Sequence, residues 1–379
     1  MNKKEISEIK KLFTPANCAV TRICGCYVDA EKNIKTKLKE AFLSLPEEEM
    51  HKYFKIFRST LSGTIGKNLL NMEFPLEQEM GEGTQTYLLK LRDSQLKDDA
   101  LIDDFYQKII EHYAYGENYY IILIHIAYDI PGKASDGSTM DDASDYVYEA
   151  ILCSICPVKL SKAGLCYNAE NNTIETRIRD WLVEDPAMGF LFPAFNDRNT
   201  DIHGLMYYSK DSENLQSELI DIFLGCNIPL TSKSQKETFL NIIEETLGEE
   251  CDFATVKTIH ENLNQMMEEK KDDPEPPVLQ KQEVKHLFEL SGVSEEQLEN
   301  FDTYYSSSAN DETSFVATNI TNTRNFEIKT PDVVIKVNPD MTHLIETKLI
   351  NGRQCLVIEV NESVEINGIR VRTSLPEEE

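Results

Sequence analysis

The run Tyr119-Tyr120-Ile121-Ile122-Leu123-Ile124-His125-Ile126 sets the architecture of this chain. It is β-branched, aromatic and almost free of polar groups, and too short for a buried helix, so it reads as a strand covered on both faces. The apolar stretch ends at Tyr128, about half of the roughly twenty residues that a membrane helix needs. Working outward, Asp98 to Tyr115 has helical spacing, with Leu101, Phe105, Ile109 and His112 on one stripe. Pro131 to Asp145 is a Gly/Ser/Asp-rich loop, and Val147 to Ile155 is a second apolar strand. A hairpin-like return follows around Asn168 to Thr173, and this part of the chain closes near Phe195.

Upstream, residues 3–13 form an amphipathic helix stopped at Thr14-Pro15, and Ala19 to Ala30 is a strand. Lys32 to Leu45 has helical character; Pro46 with Glu47-Glu48-Glu49 then opens a helix running to about Leu61, before Gly63 and Gly66. Downstream, helices are expected over Leu215–Phe223, Lys233–Leu247, Asp252–Met267 and Val284–Leu290, and Ser294 opens a short helix with Glu296-Gln297 in capping-box position. Strands follow at Val333–Val337, Ile345–Leu349 and Cys355–Val360, the last two joined by an Asn351-Gly352 turn. The fold class is therefore α+β: a mixed, mainly antiparallel sheet with packed helices, a helical region, and a small C-terminal β unit. The expected divisions are a domain over 1–211, helices over 212–267, a charged Pro-rich linker over 268–282, and an α+β unit over 283–375 with an acidic tail.

The formal charge of the 379 residues is −28, from 38 basic and 66 acidic side chains. It is unevenly spread: residues 1–70 carry 13 Lys/Arg against 8 Asp/Glu, a net of +5, and residues 71–379 carry −33. An acidic body excludes a uniformly basic nucleic-acid coat, whereas a basic first segment leaves room for a limited phosphate-contacting patch. Read as helices, Lys32, Lys35 and Lys39 share one face, and Lys52, Lys55 and Arg58 share another. Tyr53, Phe54 and Phe57 are interleaved with the second set, and Lys67 lies beyond it. These seven cations are the candidate nucleic-acid contacts.

Signatures of catalysis are missing. Gly63-Thr64-Ile65-Gly66-Lys67-Asn68 has part of a phosphate-loop pattern, but Leu61 stands where glycine is needed and Asn68 where a magnesium-binding hydroxyl is needed. Asp136, Asp141, Asp142 and Asp145 crowd one loop without the alternation of a calcium site. Asp98-Asp99 and Asp103-Asp104 fit an exposed helix face, and His125 fits a hydrogen-bonded core residue. Nine cysteines with no secretory leader suit a reducing cytoplasm. Cys24 and Cys26, and Cys153, Cys156 and Cys166, invite a metal test, but apolar surroundings favour buried thiols. The expectation is a non-enzymatic protein without a cofactor.

Two resemblances add to this. Lys4-Glu5-Ile6, Leu12-Phe13-Thr14-Pro15 and Arg22-Ile23-Cys24-Gly25-Cys26-Tyr27 look like an uncharacterised bacterial domain-of-unknown-function family of this length. Ile222-Phe223-Leu224-Gly225-Cys226, Thr231-Ser232-Lys233-Ser234-Gln235-Lys236 and Phe239-Leu240 resemble the bacterial nucleoid-associated, NdpA-like family. The second resemblance implies a non-enzymatic cytoplasmic protein on the nucleoid, a homodimer by analogy. Motifs for direct base readout are missing from the sequence, so DNA binding is expected to be backbone-driven and weakly sequence-specific. A different class of function is an acidic scaffold, or DNA mimic, that binds a basic protein partner.

Overall fold

Strand β4 (Tyr119–Asp129) lies inside a sheet and is flanked on both edges in the computed structural model. The structure describes residues 1–79, 81–133, 139–140, 146–248, 251–311, 313–322, 324–360 and 364–371. They fall into two units, Met1–Ser232 and Lys233–Glu379.

In the first unit the strands of the large sheet are β1 (Val20–Val28), β2 (Ile34–Ala41), β3 (Leu69–Glu73), β4, β5 (Val147–Leu160), β6 (Trp181–Val183), β7 (Met188–Phe192) and β8 (Gly204–Ser209). They are ordered β2-β1-β4-β5-β7-β8-β3, with β6 paired to the end of β5, and every pairing is antiparallel. Alternate residues of β4 serve opposite cores. Ile122, Ile124 and Ile126 join one cluster, which the helices α1 (Lys3–Lys11) and α2 (Glu47–Thr60) cover with Ile6, Ile9, Phe54 and Phe57. Ile121 and Leu123 join the other, covered by α3 (Thr84–Asp93), α4 (Asp99–His112) and a helical turn over Leu219–Leu224. A sheet sandwiched by helices explains why β4 is apolar throughout.

The helix expected over Lys32–Leu45 is a strand, β2, followed by a short 3₁₀ turn at Phe42–Ser44. The physical reason lies in Ile34-Lys35-Thr36-Lys37-Leu38-Lys39, whose strict alternation is the period of a strand. Selecting Lys32, Lys35 and Lys39 by helical spacing passed over Lys37. A lysine at every second position also suits an edge strand, because it discourages pairing with another sheet, and β2 is an edge strand.

The second unit is built on helices Ser232–Leu247, Phe253–Glu269, Lys281–Leu290 and Phe301–Ser308. Phe239, Phe288, Phe301, Tyr305 and Phe315 form its buried aromatic centre, with ring centroids 5.6–6.3 Å apart. The Pro-rich stretch 268–282 falls inside this unit: Val278–Leu279 pairs with Phe315–Val316, and Leu279 is buried. Three hairpins follow, of which Ile345–Ile350 with Arg353–Ile358 turns at Asn351-Gly352, both at positive φ. Among the described residues, no helix is long and apolar enough to cross a membrane.

Candidate functional site

The seven cations singled out from the sequence do not gather on one surface. Lys35 and Lys39 project from β2 together with Lys37, and each is met by a carboxylate. Lys35 lies 2.6 Å from Asp29, Lys37 lies 2.7 Å from Asp103, and Lys39 pairs with Asp99. Asp99 and Asp103 are one helical turn apart on α4, about 6 Å, which nearly matches the roughly 6.8 Å between alternate residues of a strand. Asp98, beside them, caps α4 by accepting from the amides of Ala100 and Leu101. The acidic run at 98–104 thus combines a helix cap with partners for β2.

Lys32 occupies the β1–β2 turn at φ +62° and reaches the Glu111 carbonyl at 3.4 Å. Lys52 pairs with Glu48 at 2.8 Å and Lys55 with Asp185 at 2.9 Å, beside a groove that Glu49 and Glu184 also line. Lys67 is exposed on the loop after α2. That loop is pinned by Asn68, whose amide donates to the carbonyls of Ser209 and Lys210 at 3.1 and 3.3 Å.

Arg58 differs from the rest. It sits on the last turn of α2 and lines a cleft of about 420 Å³ between α1 and the α2 terminus. The α1 side supplies Lys3, Ile6, Ser7, Lys10, Lys11 and Thr14. These positions share one helix face. The α2 side adds Leu61, Ser62 and Gly63, with Ile65 and Leu69 below. Four cations line this cleft, and among the described residues no carboxylate does.

Local structure holds both walls. Asn2 and Glu5 form a capping box that starts α1, while Ile9 and Phe13 anchor its opposite face in the core. Phe57 packs edge-on to Phe13 at 5.5 Å and fixes α2 against α1. The chain leaves α2 through Gly63 at φ +137°, where a Cβ would approach the Asn68 Cβ to 2.5 Å, so only glycine fits.

Within the cleft, Lys10 Nζ donates to Ser62 Oγ at 2.7 Å, and Ser62 Oγ donates to the Arg58 carbonyl at 2.5 Å. Arg58 Nη1 donates to the Phe13 carbonyl at 3.2 Å. Partial burial, with the Arg58 charge nearby, pushes the Lys10 pKa down. The arrangement can attract and hold an anion. Lys3, Lys10 and Lys11 were absent from the sequence-derived set. Their signal is the stripe Lys3-Ser7-Lys10 on α1, continued by Thr14 just beyond it and set apart from the core-facing Ile9 and Phe13.

The cysteines do not converge. Cys153 and Cys156 are three residues apart on β5, so they point to opposite faces and belong to different cores. Cys166 lies on an outlying hairpin. Burial raises the thiol pKa values of Cys153 and Cys156 far above the ordinary range. Among the described residues, no three His, Cys, Asp or Glu side chains are grouped to hold a metal. Asp136, Asp141, Asp142 and Asp145 lie outside the described residues. His125 is buried and shares a 2.8 Å hydrogen bond with Thr21 through Nδ1.

The comparisons lend no support to the expected nucleoid-associated resemblance, and its stretch Ile222–Cys226 is a helix end. Leu224 ends a helical turn, Gly225 adopts φ +64°, and the Cys226 amide returns to the Ile220 carbonyl. Phe223 packs against Phe105 and Phe190 in the core. No curated protein and no solved structure matches the chain. One family model does match, over residues 1–369, and by it this chain belongs to the family described as Domain of unknown function (DUF4317).

Proposed function

We propose that this protein is a non-enzymatic DNA-binding protein of weak sequence specificity, and that the α1–α2 cleft makes its phosphate contacts. The supporting observation is the convergence of Lys3, Lys10, Lys11 and Arg58 on a lining without carboxylates. The lysines of β2 and α2 play a smaller part, since carboxylates already partner Lys35, Lys39, Lys52 and Lys55. Backbone contact of this kind releases counterions and carries no base information. Nucleoid association of a cytoplasmic homodimer follows as the cellular expectation.

Fluorescence anisotropy with a duplex at 50 and 200 mM salt tests the proposal. Four phosphate contacts predict about a hundredfold loss of affinity across that range. The triple variant Lys10→Gln/Lys11→Gln/Arg58→Gln should lose most binding, whereas Lys52→Gln/Lys55→Gln should retain it. No binding at 50 mM salt, or equal binding by both variants, refutes the cleft as the contact.

The acidic-scaffold reading draws on another observation. Glu31, Glu40, Glu47 and Glu49 remain exposed alongside the paired lysines. A basic protein partner would persist in pull-downs from nuclease-treated lysate, whereas partners bridged by nucleic acid would vanish.

A further inference from the structure

Lys10 and Arg58 approach each other from two helices, and the cleft lining offers no carboxylate to offset their repulsion. Their contacts are to a hydroxyl and a carbonyl, both neutral, so the charge of the pair is uncompensated there. Bringing like charges together out of bulk water is unfavourable unless an anion joins them. The hydroxyls of Ser7, Thr14 and Ser62 stand along the same wall. Ser62 is oriented by its hydrogen bonds to Lys10 and Arg58, and Thr14 Oγ1 donates to the Lys11 carbonyl at 3.1 Å. Ile6, Leu61, Ile65 and Leu69 supply the apolar part of the lining.

Three features select the ligand. Two convergent cations favour two negative charges on one group, and the Arg58 fork suits phosphate oxygens. The aliphatic lining can cover a small carbon skeleton. Among the described residues no aromatic side chain lines the cleft, so they offer no platform on which a nucleobase could stack.

We infer that the cleft is a discrete site for a small phosphate monoester, with its dianion between Lys10 and Arg58 and its carbon skeleton against Ile6, Leu61 and Ile65. This deepens the proposed function and rests on its reading of the cleft as a phosphate site. A DNA phosphodiester carries one charge per phosphate and spreads its contacts over the four cleft cations; a monoester carries up to two charges on one group and seats them between Lys10 and Arg58.

Titration calorimetry on the full chain with glycerol 2-phosphate, inorganic phosphate and dimethyl phosphate tests this. Saturable binding of the first two, with dimethyl phosphate at least tenfold weaker, is the expected result. Lys10→Gln should weaken glycerol 2-phosphate at least tenfold, and Lys52→Gln should leave it unchanged. Because Arg58 also braces Phe13, amide shifts in the unmodified protein give a readout free of folding effects, and they should cluster at Ser7, Ser62 and Gly63. Equal binding of monoester and diester, insensitivity to Lys10→Gln, or shifts elsewhere would overturn the inference. Duplex binding that needs the four cleft cations, without monoester binding, overturns this inference and leaves the proposed function standing. Monoester binding without duplex binding does the reverse.

Discussion

The β2–α4 surface and the α1–α2 cleft both draw on the basic first 70 residues, yet their cations meet different surroundings. On β2, Lys35, Lys37 and Lys39 find Asp29, Asp103 and Asp99. In the cleft, Lys10 and Arg58 find a serine hydroxyl and a backbone carbonyl. The difference shows that charge counted along a sequence is not charge offered to a ligand. A strand and a helix with nearly matching spacings neutralise one set, while two helix faces that bear only basic and neutral residues expose the other. Exposed pairs such as those on β2 contribute little stability, typically under about 1 kcal/mol each, but they remove the lysines from the pool available to phosphate.

Removing the shared support should have the largest effect. Phe57 is fully buried between α1, α2 and the sheet, so Phe57→Ala should cost about 3–5 kcal/mol, read as a lower midpoint in urea unfolding. Gly63→Ala should cost about 1–3 kcal/mol and disturb the cleft selectively, since strain arises where α2 ends. Urea melts would measure the stability, and phosphate titration the selectivity. β2 can also be made to behave like the cleft: Asp99→Asn/Asp103→Asn should strengthen duplex binding several-fold at low salt. The double variant should also steepen the logarithmic salt dependence by up to about 2, near one per freed lysine. A salt slope unchanged by that variant would mean that pairing is not what separates the two regions.

The smallest effect concerns Asp29. The Lys35 ammonium hydrogen-bonded to it, aided by Asn33, holds its carboxyl down to about 2. A carboxyl with a depressed folded-state pKa contributes stability that is complete above its unfolded value and is lost as pH falls through about 2. Lys35→Met should bring the Asp29 midpoint back toward an ordinary carboxylate, followed by carboxyl carbon shifts. Stability of the variant should then vary less between about pH 4 and 2.

Much of the fold was legible in local signals. The strand at Tyr119–Ile126, the α2 start at Pro46-Glu47, the capping box at Ser294 and the Asn351-Gly352 turn all appear where side-chain chemistry placed them. Each depends on neighbours within a few residues. The misreading at Lys32–Leu45 arose because lysine serves helix and edge strand alike, and only its alternation with Ile34, Thr36 and Leu38 distinguished them. Of the candidate site, Arg58 was found and Lys3, Lys10 and Lys11 were not.

By itself, then, the sequence determined many of the secondary elements, the two-sided burial of β4 and the basic bias of the first segment, since these follow from spacing and composition. The tertiary structure alone decided which cations keep their charge available. A carboxylate some sixty residues away can quench a lysine only after the chain has brought β2 beside α4. An uncompensated pair such as Lys10 and Arg58 exists only once α1 and the end of α2 share a wall. Electrostatic energy depends on distance through space, and nothing in the order of residues states that distance.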